Sequence, residues 1–131
     1  MSESMVSVKS YNNDFKDVLL NKALSHEISV QISNTGVTNN ADGKKIIPAG
    51  TPIGGTVDPL VTRNTVLSVT NSSSTGANAK GILRYPVDVT NGNATGTLIV
   101  FGVVDTSKCP AIDSTVKTAL TRIIFQNGGA E

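Results

Sequence analysis

Three kinds of side chain in this chain carry enough reactivity to do chemistry: one histidine, one cysteine and a scatter of acids. His26 is the sole histidine, so any triad or metal site would be built around it. Its neighbours Ser25 and Glu27 are adjacent in sequence, but on a strand they point to the opposite face. Cys109 is the only cysteine, between Lys108 and Pro110 in a turn. A lysine beside a thiol lowers its pKa, yet one cysteine without a nearby histidine reads as a half-buried structural thiol. Asp42, Asp58, Asp88, Asp105 and Asp113 are dispersed and mostly flank turn residues, where caps and turns account for them. The glycine-rich pieces 48–55 and 91–96 lack the Gly-Lys-Ser/Thr continuation of a phosphate loop. The residue types therefore point away from catalysis and imply no metal or cofactor.

The elements that would position these residues are short strands. Ile28, Val30 and Ile32 alternate with Ser29, Gln31 and Ser33, the period of a half-buried strand. Asn34-Thr35-Gly36 ends it, and Asp42-Gly43 marks a tight turn in a polar loop. Ile46 and Ile47 precede residues 48–55, whose two prolines and three glycines predict a fixed, bent connection rather than a helix or central strand. Val66, Leu67 and Val69 offer a further strand. Residues 71–78, rich in Ser and Asn, read as a flexible surface loop.

Residues 81–90 form a strand interrupted by Pro86, and Asn91-Gly92 supplies a turn. Residues 97–104 are an almost unbroken apolar run, predicted to be the central strand, with Gly102 at a bulge or close approach. Ile112, Val116 and Leu120 recur at helical spacing behind the caps Asp113 or Ser114, and Ile123, Ile124 and Phe125 close the chain as a strand. The fold class expected is mainly β: a small β-barrel or sandwich-like domain of short strands with one or two short helices. Residues 1–24 stand apart, with Phe15, Val18 and Leu19 at helical spacing in a polar stretch. They read as an N-terminal arm or short helix, ahead of a β-rich domain over 25–131.

With 131 residues the chain is one domain large enough to hold an aliphatic core without staples. It has no tryptophan, three phenylalanines and two tyrosines, too few aromatics for a large ligand pocket or a glycan-binding platform. Net charge is +1 and Lys44-Lys45 is the only adjacent basic pair, which excludes a phosphate-tracking nucleic-acid surface. No apolar run reaches the length that spans a bilayer, and the first ten residues lack a signal-peptide core. No membrane partner is expected.

Four pieces, in order, resemble head decoration proteins of lambda-type tailed phages. Ile47-Pro48-Ala49-Gly50-Thr51-Pro52-Ile53-Gly54 looks like the family's "Ala-Gly-Thr-hydrophobic-hydrophobic-Gly" bend. Gly81-Ile82-Leu83 is similar to its "Gly-Ile-Leu" strand, residues 96–104 to its "apolar run-Gly-Val" strand, and residues 112–125 to its closing helix and strand. The resemblance covers about residues 46–126. It implies a cytoplasmically made structural protein that seats as a homotrimer on the outer surface of an expanded head, bound to the major capsid protein and stabilising the shell. On that reading Phe15, Val18 and Leu19 are candidates for capsid contact. Ile46, Ile47, Ile53 and Leu60 flank the rigid bend and are candidates for an apolar trimer seam. The alternative is another phage tail, neck or fibre piece, or a surface β module binding protein or glycan.

Overall fold

The computed structural model describes residues 17–20 and 23–127; Phe15 and the rest of the proposed arm before Asp17 lie outside them. Among the described residues the strands are β1 (His26–Ile32), β2 (Ile46–Ile47), β3 (Pro52–Gly54), β4 (Val66–Val69), β5 (Ala79–Leu83), β6 (Val87–Asp88), β7 (Ala94–Asp105) and β8 (Ile123–Gln126), with one α-helix, α1 (Ser114–Ala119). The mainly β expectation holds. β1, β4, β3, β5 and β7 follow one another around a five-stranded barrel, closed where β1 pairs with β7. β8 adds in parallel to the end of β7, and β2 and β6 form a separate two-stranded ribbon.

Alternation along the strands divides the apolar residues into two layers. Ile28, Val30, Ile32, Ile53, Leu67, Leu83, Leu98 and Val100 fill the barrel, joined by Ile47, Val87 and Val89 from the ribbon. Ile82, Ile99 and Val104 point the other way and pack with Val18, Leu19, Ala79, Val116, Leu120 and Ile123. This outer layer is why α1 exists: Asp113 caps it by accepting the Thr115 N–H at 2.9 Å, and its apolar side, Val116, is wholly buried on the barrel wall.

Three sequence expectations require correction. Residues 17–20 are extended, not helical: Leu19 bridges Val104, the Leu20 N–H donates to the Val103 carbonyl at 2.9 Å, and the Asp105 N–H donates to the Val18 carbonyl at 2.8 Å. The exposed backbone of β7 offers a ladder, and pairing with it overrides the local helical spacing. Residues 48–55 contain a central strand after all. The bend is confined to the residues around Gly50 (φ +89°), and Pro52 begins β3 between β4 and β5, at the strand-starting position where a missing N–H is tolerated.

Residues 71–78 are not a loose loop. The Asn71 amide donates to the Ala111 carbonyl at 2.8 Å and its oxygen accepts the Asp113 N–H at 2.9 Å. Ser72 accepts the Thr75 N–H, and Gly76 lies so close to α1 that a Cβ there would stand 3.0 Å from Val116 N. Local side-chain bonding of Asn and Ser fixes what composition alone assigns to disorder.

Close packing inside the barrel depends on a residue without a side chain at Gly81. A Cβ there would sit 2.5 Å from the Ile99 carbonyl oxygen and 2.7 Å from Leu98 Cγ. Gly81→Ala is expected to destabilise the fold by about 1–3 kcal/mol, the usual range for overpacking, read as a lower urea midpoint with an unchanged slope. A change below a few tenths of that range would show that the barrel wall relaxes freely.

Candidate functional site

His26 is exposed at the start of β1, opposite Phe101. Cys109 is half-buried; its thiol donates to the Asp105 carbonyl at 3.3 Å and packs against Gly50, where a Cβ would stand 2.7 Å from Sγ. Burial first, and the Asp105 charge second, push the Cys109 thiol up to about 11. It is therefore protonated at neutral pH, the opposite of an activated nucleophile. The buried Asp105 carboxylate accepts the Ser107 N–H at 3.0 Å and the Ser107 hydroxyl at 2.6 Å, capping the turn Thr106–Lys108. Among the described residues no group of three or more His, Cys, Asp or Glu is placed to hold a metal ion.

The strongest ionic cluster joins three segments. Arg84, with its side chain 13% exposed, pairs with Asp17 at 3.0 Å and with Glu27 of β1. Its guanidinium pKa is raised, mainly by the hydrogen bond to Asp17, against an opposing desolvation contribution and with help from Glu27. The carbon of the guanidinium also lies 5.1 Å from the centre of the Tyr85 ring. This arrangement fastens residues 17–20 to the barrel. It was not legible in the sequence, because Asp17, Glu27 and Arg84 are far apart along the chain.

Those fastened residues create the most distinctive surface of the molecule. At Phe101 the register between β7 and β1 slips, so that His26 faces Phe101 while Glu27 faces Ile99. Just beyond, Gly102 has φ +149°, and a Cβ there would stand 3.2 Å from the Leu24 carbonyl oxygen and 3.3 Å from Ser25 Cβ. β7 thus leaves the barrel and becomes the middle of a small second sheet between residues 17–20 and β8. One face of that sheet, with Leu19, Val104 and Ile123, is buried in the outer layer. The other presents Leu20, Val103 and Ile124 in a row across the three segments.

Leu20 and Ile124 of this face are 40% and 61% exposed, and Phe101 and Leu24, on β7 and just before β1, are 47% and 58% exposed, apolar surface from which a lone domain gains nothing. A second apolar group, Val57, Leu60, Val61 and Val66, lies in and after the connection from β3 to β4, and Val61 is 82% exposed. The two groups belong to different elements of the fold.

The chain matches no protein-family model and no curated protein.

The contact candidates taken from sequence are partly redistributed. Val18 and Leu19 are buried in the outer layer, since pairing with β7 turns them inward, and their neighbour Leu20 carries the exposed role instead. Phe15 lies outside the described residues. Ile47 and Ile53 are almost fully buried in the barrel core, where strand alternation points them, and so are not available as a seam. Ile46 is half-buried and Leu60 stays at the surface. Exposed Ile124 and Phe101 were missed because an apolar residue in a central or closing strand reads by default as core.

Two measurements follow from these environments. Replacing Arg84 with Met removes the cation that Asp17 and Glu27 share and is expected to lower stability by about 1–3 kcal/mol, seen as a reduced urea midpoint and faster amide exchange at residues 17–20. For Cys109, a folded-state pKa raised from 9.0 to about 11 makes alkylation by iodoacetamide at pH 8 roughly a hundredfold slower than for an unfolded-chain thiol. The sign for stability is fixed by the same shift: its contribution is complete below pH 9 and is lost as pH rises toward 11, because only the unfolded thiol ionises in that window. Rapid labelling of the folded protein at pH 8 would contradict this burial.

Proposed function

We propose that this chain is a structural protein of a tailed-phage head, binding the outside of the expanded capsid as a homotrimer and stabilising it. The observation that carries the reading is the open apolar face of Leu20, Leu24, Phe101 and Ile124, held rigid by β7 and the Arg84 ion pairs. Exposed apolar side chains on a domain whose core is complete without them mark a protein-binding surface.

A closed ring of identical subunits uses two different patches on each copy, one facing forward and one back. Apart from the β7–β8 face that meets the head, the Val57–Val61–Val66 group supplies an apolar patch for such a ring. The motifs behind the resemblance to head decoration proteins also meet in space: the Gly50 N–H of the bend donates to the Leu83 carbonyl at 2.7 Å, and Leu83 pairs with Leu98 of the apolar run. In this role the work is mechanical. Repeated attachment of trimers bridges neighbouring capsid subunits, with avidity in place of strong single contacts.

The test is incubation of purified protein with expanded heads that lack it, followed by electron microscopy and counting of bound copies. Density at three-fold positions is expected, and Ile124→Asp is expected to weaken binding roughly tenfold or more while leaving the urea midpoint within experimental error. Ser29→Ala, on an exposed position of β1, should change neither. Failure of well-folded protein to bind any expanded head overturns the reading and favours a tail, neck or fibre role. Full binding by the Ile124 variant reassigns the contact face.

A further inference from the structure

A cleft of about 270 Å³ opens between the start of β5, the turn after β3 and the end of α1. Ala79 and Val100 line it together with Lys80, Arg122, Asp58 and Thr121, and the lining is more polar than apolar. Lys80 is half-buried on β5, and Arg122 sits in the turn into β8, where its carbonyl accepts the Gly102 N–H at 3.3 Å. Neither cation forms an ion pair within the described residues. Asp58 is partly engaged: one carboxylate oxygen accepts the Leu60 N–H at 2.9 Å, fixing the turn in which the Val61 and Thr62 N–H groups donate to the Asp58 carbonyl.

We infer that this cleft is a binding site for a carboxylate, received between Lys80 and Arg122. Two unpaired cations against one partly engaged carboxylate leave an excess of one positive charge around a concave, mostly polar wall. A guanidinium and an ammonium facing one recess provide several charge-assisted donors for a planar carboxylate. Size narrows the class. Ordinary small-molecule sites begin at roughly 300 Å³, so this one suits a small acid or a single acidic side chain, and not a nucleotide or larger cofactor. The six-residue α1 turns its carbonyl end toward the cleft. That end disfavours an anion, so the two cations must supply the attraction.

The site is tested on the full-length free protein by following backbone amide resonances during titration with three probes. These are acetate, a blocked Ala-Glu-Glu-Ala peptide and a matched Ala-Gln-Gln-Ala peptide. Saturable shifts at Lys80 and in residues 119–123 are expected with the two carboxylate probes only, fading at high salt. Lys80→Gln and Arg122→Gln are each expected to weaken binding about tenfold. Asp58→Asn keeps the acceptor for the Leu60 N–H and removes the like charge, so it should tighten binding several-fold, a gain that misfolding cannot imitate. Tighter binding of the glutamate peptide than of acetate identifies a protein side chain as the source; equal affinity identifies a free small acid. Absence of shifts at tens of millimolar probe, or equal shifts from the glutamine peptide, overturns the proposal. The measurement needs no heads, so its outcome is separate from that of the capsid reading.

Discussion

The structure depends on a single strand doing two jobs. Over its first part β7 (Ala94–Asp105) closes the barrel, pairing with β1 on one edge and β5 on the other. Past the slip at Phe101 and the positive φ of Gly102 it carries a second sheet, with residues 17–20 on one side and β8 on the other. The change of hand at that point also changes which residues face the core. Ile99 and Val104 both pack in the outer layer, although an uninterrupted strand would send them to opposite faces. β8 and the anchored N-terminal segment are both registered by this one irregularity.

The same device explains the surface. A closed barrel has no open edge, and most of its apolar side chains are consumed by the interior. The appended sheet is only one layer thick beyond the barrel. Its inner face is buried under α1 and its outer face has nothing above it among the described residues. Leu20, Val103 and Ile124 line that face because β7, β8 and residues 17–20 are in register, while Arg84 holds Asp17 and Glu27 so that the register is kept. A rigid apolar face costs little ordering entropy on association, which suits a role in which many weak contacts act together.

Much of the fold was legible in the sequence because its strands follow simple periodicities. The alternation of Ile28, Val30 and Ile32, the long apolar run of β7, and the cap at Asp113 all appear where their spacing puts them. What could not be read depends on contacts between distant residues. Pro52 reads as a breaker until the strand is seen to start on it. Asn71 and Ser72 read as disorder until their bonds to Ala111, Asp113 and Thr75 are drawn. Val18 and Leu19 have helical spacing, but the free edge of β7 offers more hydrogen bonds than an isolated helical turn. The candidate face was the least legible part, since nothing in the local pattern distinguishes the exposed Ile124 from the buried Ile123 beside it.

On the proposed function, the face built on β7 and β8 is where this protein meets its partner. Amide hydrogen exchange, compared between free protein and protein bound to expanded heads, tests it most directly. New protection is expected in residues 17–20, 101–103 and 123–126, with the barrel interior unchanged. Bound protein whose added protection lies elsewhere, with these three segments exchanging as in the free state, would contradict it.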